Sequence, residues 1–148
     1  MDEELEADPQ RAALEEVIRI LAPLRQHRQA SAERQQRQAE RELDSGRERL
    51  AQTRSAFADE RSRQVEQRQA LALEHVNQAL TLNDVDRWHD QERSLLDDLS
   101  RLRQGIDQQT RAVQAQQQTL KNAQRDAKAA QRAVEKLACL AEAINDEN

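Results

Sequence analysis

From Val85 to Ile144 the chain reads VDRWHDQERSLLDDLSRLRQGIDQQTRAVQAQQQTLKNAQRDAKAAQRAVEKLACLAEAI. Steps of alternately three and four residues from Val85 land on Trp88, Glu92, Leu95, Leu99, Leu102, Ile106, Gln109, Val113, Gln116, Leu120, Ala123, Ala127, Ala130, Val134, Leu137, Ala141 and Ile144. Only Glu92, Gln109 and Gln116 break the apolar rule. An apolar repeat averaging 3.5 residues keeps one seam turned toward a partner helix, which is the signature of a coiled-coil strand. At 1.5 Å per residue such a strand runs on the order of 90 Å, too long for a compact globule of this size. The expectation is a rod.

Working outward, composition agrees. Of 148 residues, 36% are apolar, 1% aromatic and 34% charged, which is too little bulk for a thick core and enough for a two-helix seam. Two glycines and two prolines, with no proline after Pro23, leave few places where a helix must stop. The β-branched and aromatic runs that strands require are missing.

Upstream of the seam, residues 1–9 are expected to form an acidic flexible leader, with helix starting beside Pro9 under an Asp8 cap. Leu14, Val17, Leu21 and Leu24 form a short apolar stripe. Pro23 interrupts it and should kink the helix or divide it. An Arg/Gln/Glu/Ala shaft follows, and the seam recovers at Leu43, Gly46, Leu50, Thr53 and Phe57. Beyond Phe57 it continues through Arg61, Val65, Gln69, Ala72, Val76 and Ala79 after a stutter.

The first helix is therefore expected over 10–82, a turn at 83–84 capped by Asn83 or Asp84, and the second helix over 85–145. The arms Leu24–Leu82 and Val85–Ile144 are nearly equal in length. Equal arms about a short turn make one all-α domain, a long antiparallel two-helix coiled-coil hairpin. That fold sets Leu71 opposite Leu95 and Leu96, Phe57 opposite Gln109, Leu50 opposite Gln116, and Leu43 opposite Ala123. Toward the far end Ala32, Ala39, Ala123, Ala127, Ala130 and Ala133 allow close approach but bury little area, which predicts a weakly stabilised neck. Flanking positions such as Ala112, Gln117, Gln124, Gln131 and Ala138 lack the charges that would select a parallel homodimer, so the chain is expected to be a monomer when free.

Residues for chemistry are scarce. Gly46 and Gly105 lie in helical patterns without the lysine of a phosphate loop. His27, His75 and His89 lack zinc-ligand spacing, and the single Cys139 falls at an outward position with no histidine arranged beside it. No cofactor, no metal and no catalysis are expected. Arg34, Arg37 and Arg41 share a face, but Glu33, Glu40, Glu42 and Asp44 interleave with them in a chain of net charge −5, so nucleic acid is not an expected partner. No run of apolar residues is long enough to insert in a membrane, and no signal-peptide stretch opens the chain. Leu71, Leu73, Leu80, Leu82 and Trp88 exceed what a two-helix seam buries, which marks the hairpin tip as a contact surface.

The turn Leu80-Thr-Leu-Asn-Asp-Val-Asp-Arg-Trp88, the Leu95, Leu99, Leu102 ladder, the Ala/Gln/Arg-rich shaft and the closing Ala133-Val-Glu-Lys-Leu-Ala-Cys-Leu140 resemble the stalk proteins of the type III secretion and flagellar export machines, of the FliJ/YscO type. The resemblance covers roughly residues 24–144. It implies a cytoplasmic bacterial protein, peripheral to the secretion apparatus at the inner membrane. Its partners would be a hexameric secretion ATPase, the cytoplasmic domain of an export-gate membrane protein, and secretion chaperones. Carried onto this chain, the resemblance assigns Leu14, Val17, Leu21, Leu137, Leu140 and Ile144 to the ATPase and Leu71, Leu73, Leu80, Leu82 and Trp88 to the export gate. The alternatives are a generic oligomerising coiled-coil scaffold and a secretion chaperone.

Overall fold

A computed structural model describes residues 8–75 and 80–147. The expected leader over 1–7, the first-arm seam positions Val76 and Ala79, and the terminal Asn148 lie outside the described residues. Two helices make up the architecture: α1 (Pro9–His75) and α2 (Leu82–Asp146), packed against each other as a helical hairpin.

Local chemistry sets the helix ends. Asp8 caps α1: its Oδ1 accepts the Gln10 N–H at 3.1 Å and its carbonyl accepts the Ala12 N–H at 3.0 Å, with Pro9 at the first helical position where its missing donor costs nothing. Pro23 lies inside an uninterrupted α1 and does not divide it. At the bend, α1 is helical to His75, Leu80 and Thr81 are non-helical, and α2 starts at Leu82, ahead of the expected 85. Thr81, not Asn83 or Asp84, is the cap. Its hydroxyl accepts the Asp84 N–H at 3.3 Å while the Asp84 carboxylate accepts the Thr81 N–H at 3.3 Å, a reciprocal capping box.

The hairpin comprises two compact units, Leu43–Gln116 and Met1–Glu42 with Gln117–Asn148. In the first, which holds the bend, Leu43, Leu50 and Val113 are buried and Phe57 is half-buried. The Gln116 side chain lies over Gly46, a position where only the missing Cβ leaves room for it. Glu92, an exception in the apolar repeat, is explained by Arg68, whose Nε donates to its Oε1 at 2.7 Å across the two helices. The Oε1 atoms of Gln109 and Gln116 are buried and have no hydrogen-bond partner among the described residues.

In the second unit, which holds both ends of the chain, Ala39, Ala127, Leu137 and Ile144 are buried. The alanines let the helices approach closely, and α1 arginines then reach α2 carbonyls. Arg11 donates to the Ile144 carbonyl at 2.9 Å and Arg25 to the Ala133 carbonyl at 2.8 Å. The last turn of α2 has no basic residue of its own, so Arg11 supplies the cation that the negative end of its dipole favours.

Facing partners differ from expectation by about one helical turn. Gln116 lies against Gly46 instead of Leu50, Ala123 shares a groove with Ala39 instead of Leu43, and Phe57 shares one with Leu99 and Arg103 instead of Gln109. Leu71 and Leu95 do share a groove. The second helix also starts at Leu82, ahead of the expected turn at 83–84.

Two predictions follow from this packing. A methyl group added at Gly105 would meet only Thr53 Cγ2, at an ordinary 3.8 Å. Gly105→Ala should therefore stabilise the protein by about 1 kcal/mol through helix propensity, raising the melting temperature by a few degrees in a circular-dichroism melt. Gly46→Ala must displace the Gln116 amide and should gain less; a larger gain at 46 than at 105 would contradict the packing described. For the register, Gly46→Cys with Gln116→Cys, in a Cys139→Ser background, should form an intramolecular disulfide on mild oxidation faster than Leu50→Cys with Gln116→Cys. The opposite order would restore the expected register.

Candidate partner-contact surfaces

Around the bend the apolar residues flagged in the sequence are split by the fold. Leu71 is half-buried and lines an open groove with Ala70, Glu74, Gln91 and Leu95. Leu73 and Leu82 are 77% and 84% exposed, and Leu80 is also solvent-facing. Trp88 is half-buried, with its ring stacked on that of His89 at 6.3 Å between centroids and 12° between planes. Leu73, Leu80 and Leu82 thus offer apolar surface directly, while Leu71 and Trp88 are committed in part to the hairpin. Large aliphatic side chains held in water are a standing cost that a partner can remove.

At the other end the expected set divides differently. Leu137 and Ile144 are buried and hold their unit together, so they support a surface from beneath and do not form it. Leu14, Val17 and Leu140 are exposed and Leu21 is half-buried. Ile20 and Leu24, absent from the expected site, are exposed as well. Val17, Ile20 and Leu24 recur at three and four residues, so they form a second apolar row on α1, turned away from the face that carries Arg11, Ile18 and Arg25 toward α2. The sequence reading groups Val17 and Leu24 with Leu14 and Leu21 in one stripe and leaves Ile20 out.

Elsewhere the chemistry is sparse. Cys139 is a free, exposed thiol. Among the described residues no three His, Cys, Asp or Glu side chains converge as metal ligands, and no helix is long and apolar enough to cross a membrane. Arg34, Arg37 and Arg41 are exposed, with the acids between them on the same stretch of helix.

No curated protein and no solved structure matches the chain. A family model does: the one described as type III secretion protein YscO matches residues 18–148, which takes in the bend, all of α2 and α1 from Ile18 onward, and leaves Leu14 and Val17 ahead of the match. With a helical hairpin and a match over most of its length, the chain belongs to the YscO family of type III secretion proteins.

Proposed function

We propose that this type III secretion protein is a non-enzymatic stalk of the secretion apparatus, acting in the cytoplasm at the inner membrane. The unit holding both chain ends inserts into the hexameric secretion ATPase. The bend faces the cytoplasmic domain of the export-gate membrane protein. The observation that carries this reading is the exposed row Val17, Ile20 and Leu24, with Leu14 and Leu140, on the unit that holds both chain ends. An apolar row of that kind suits an apolar ring lining. A lone hairpin within a sixfold ring can touch only some subunits at a time, so its rotation would favour one-after-another ATP hydrolysis over independent firing. Leu73, Leu80 and Leu82 supply the corresponding surface for the gate. Secretion chaperones are further candidate partners on the family resemblance.

Added in less than stoichiometric amounts, the protein should raise ATP turnover and hexamer formation by its cognate ATPase. The triple variant Val17→Glu, Ile20→Glu, Leu24→Glu should abolish that effect with its helical content intact, because all three side chains already face solvent. Unchanged turnover with the unmodified protein would remove the stalk reading.

The exposed Leu73 and Leu82 also support a second reading, a scaffold that oligomerises through its bend. Light scattering separates the two. The stalk reading expects a concentration-independent monomer of 17.1 kDa; a stable dimer or tetramer that dissociates on Leu73→Ser with Leu82→Ser would favour the scaffold.

A further inference from the structure

One groove in the Leu43–Gln116 unit has a different character from the apolar ends. Its floor is Phe57, Leu96 and Leu99, and its walls carry Arg61 from α1 and Arg103 from α2. Arg103 lies over the Phe57 ring at 5.8 Å from its centroid, which holds the guanidinium at the rim with its edge free to donate. Neither Arg61 nor Arg103 has a carboxylate partner among the described residues. Gln64 also lines the groove. It is only 7% exposed, and no hydrogen bond from another described residue reaches its amide.

The flank extends the same pattern in both directions. On α1, Arg54, Arg61, Val65 and Arg68 recur at seven, four and three residues; on α2, Arg93, Leu96, Ser100, Arg103 and Asp107 recur at three and four. Both rows therefore lie along the groove. Val65 and Leu96 are each 49% exposed. Arg68 is neutralised by Glu92, and Asp107 is the one carboxylate on the α2 row, so Arg54, Arg61, Arg93 and Arg103 leave a net positive edge on a protein of net charge −5. An apolar strip between rows of arginine is the complement of a helix with leucines on one face and carboxylates beside them.

We infer that this flank is a docking site for an acidic amphipathic helix of a partner protein, which completes a local three-helix bundle. The partner's aliphatic side chains cover Leu96 and Val65. Its carboxylates pair with Arg61 and Arg103, where a guanidinium gives charge-assisted, two-pronged hydrogen bonds, and a polar group of the partner meets the Gln64 amide. Nucleic acid fits less well, because phosphates would use the arginines and leave Leu96 and Val65 in water. The inference does not rest on the stalk reading, since Arg61, Val65, Leu96 and Arg103 belong to neither the surface assigned to the ATPase nor the one assigned to the export gate.

The test uses the full chain and a labelled synthetic peptide about three heptads long, with leucine at the seam positions and glutamate flanking them, read by fluorescence anisotropy at low salt. The peptide should bind. Arg61→Gln with Arg103→Gln should weaken it by about tenfold, Arg61→Lys with Arg103→Lys by clearly less, and Leu96→Asp should also weaken it, with unchanged helical content in each case. Absence of binding would overturn the proposal. So would equal binding by a peptide with lysine for glutamate, by one with glutamine for leucine, or by a single-stranded oligonucleotide, since each would reduce the site to non-selective attraction.

Discussion

The structure depends, among the described residues, on a thin seam between two helices. No large side chain among the described residues is fully buried, and the buried apolar set is small: Ala39, Leu43, Leu50, Val113, Ala127, Leu137 and Ile144. A helix with little burial is marginal in water unless a partner covers its apolar face. Each helix is therefore the other's core. Polar groups near the seam then matter more than they would in a globule, because few neighbouring contacts can offset a poor fit. Arg11, Arg25 and Arg68 bridge the helices through hydrogen bonds that apolar packing does not supply, two of them to carbonyls already engaged in or near helical turns. Gln109 and Gln116 are the reverse case, each with a buried oxygen left unmatched beside a glycine-sized gap or a groove.

Much of this was legible in the sequence because α2 repeats so regularly from Val85 to Ile144. The helical class, the two arms and the Asp8–Pro9 start all follow from spacing and capping chemistry. The bend did not. Thr81, Asn83 and Asp84 are all competent caps, and cap preferences differ by only about 1 kcal/mol, so local propensity could not rank them. The reciprocal bonds between Thr81 and Asp84 decide it. A heptad-like pattern also hides a register error, since sliding by one turn still places apolar residues near apolar residues.

Exposure was legible where a leucine had no role in the repeat, as with Leu73 and Leu82, and less so where it had one. Leu137 and Ile144 lie on the α2 seam and also entered the expected partner surface, but a side chain buried against α1 is not available to a ring around the hairpin. The arginine-lined flank was missed for another reason. Counting charge along the chain between Arg25 and Arg63 finds arginines diluted by acids, whereas the fold sorts them by face and brings α2 residues beside them. Net charge per segment is blind to that sorting.

A two-helix seam leaves each helix with two flanks that the pair itself cannot bury, and the chemistry of those flanks is free to specify partners without disturbing the fold. Here the flanks differ. Near the chain ends the exposed row is aliphatic and neutral, suited to a surface that is selected by shape; in the bend-containing unit it is aliphatic but edged by unpaired guanidinium groups, suited to a partner selected by charge. Aliphatic contact sets how long such a complex lasts, while complementary charge sets which partner arrives and how fast. Under the proposed stalk role, one hairpin would thereby hold distinct partners on distinct stretches, separating how long each complex lasts from which partner is chosen.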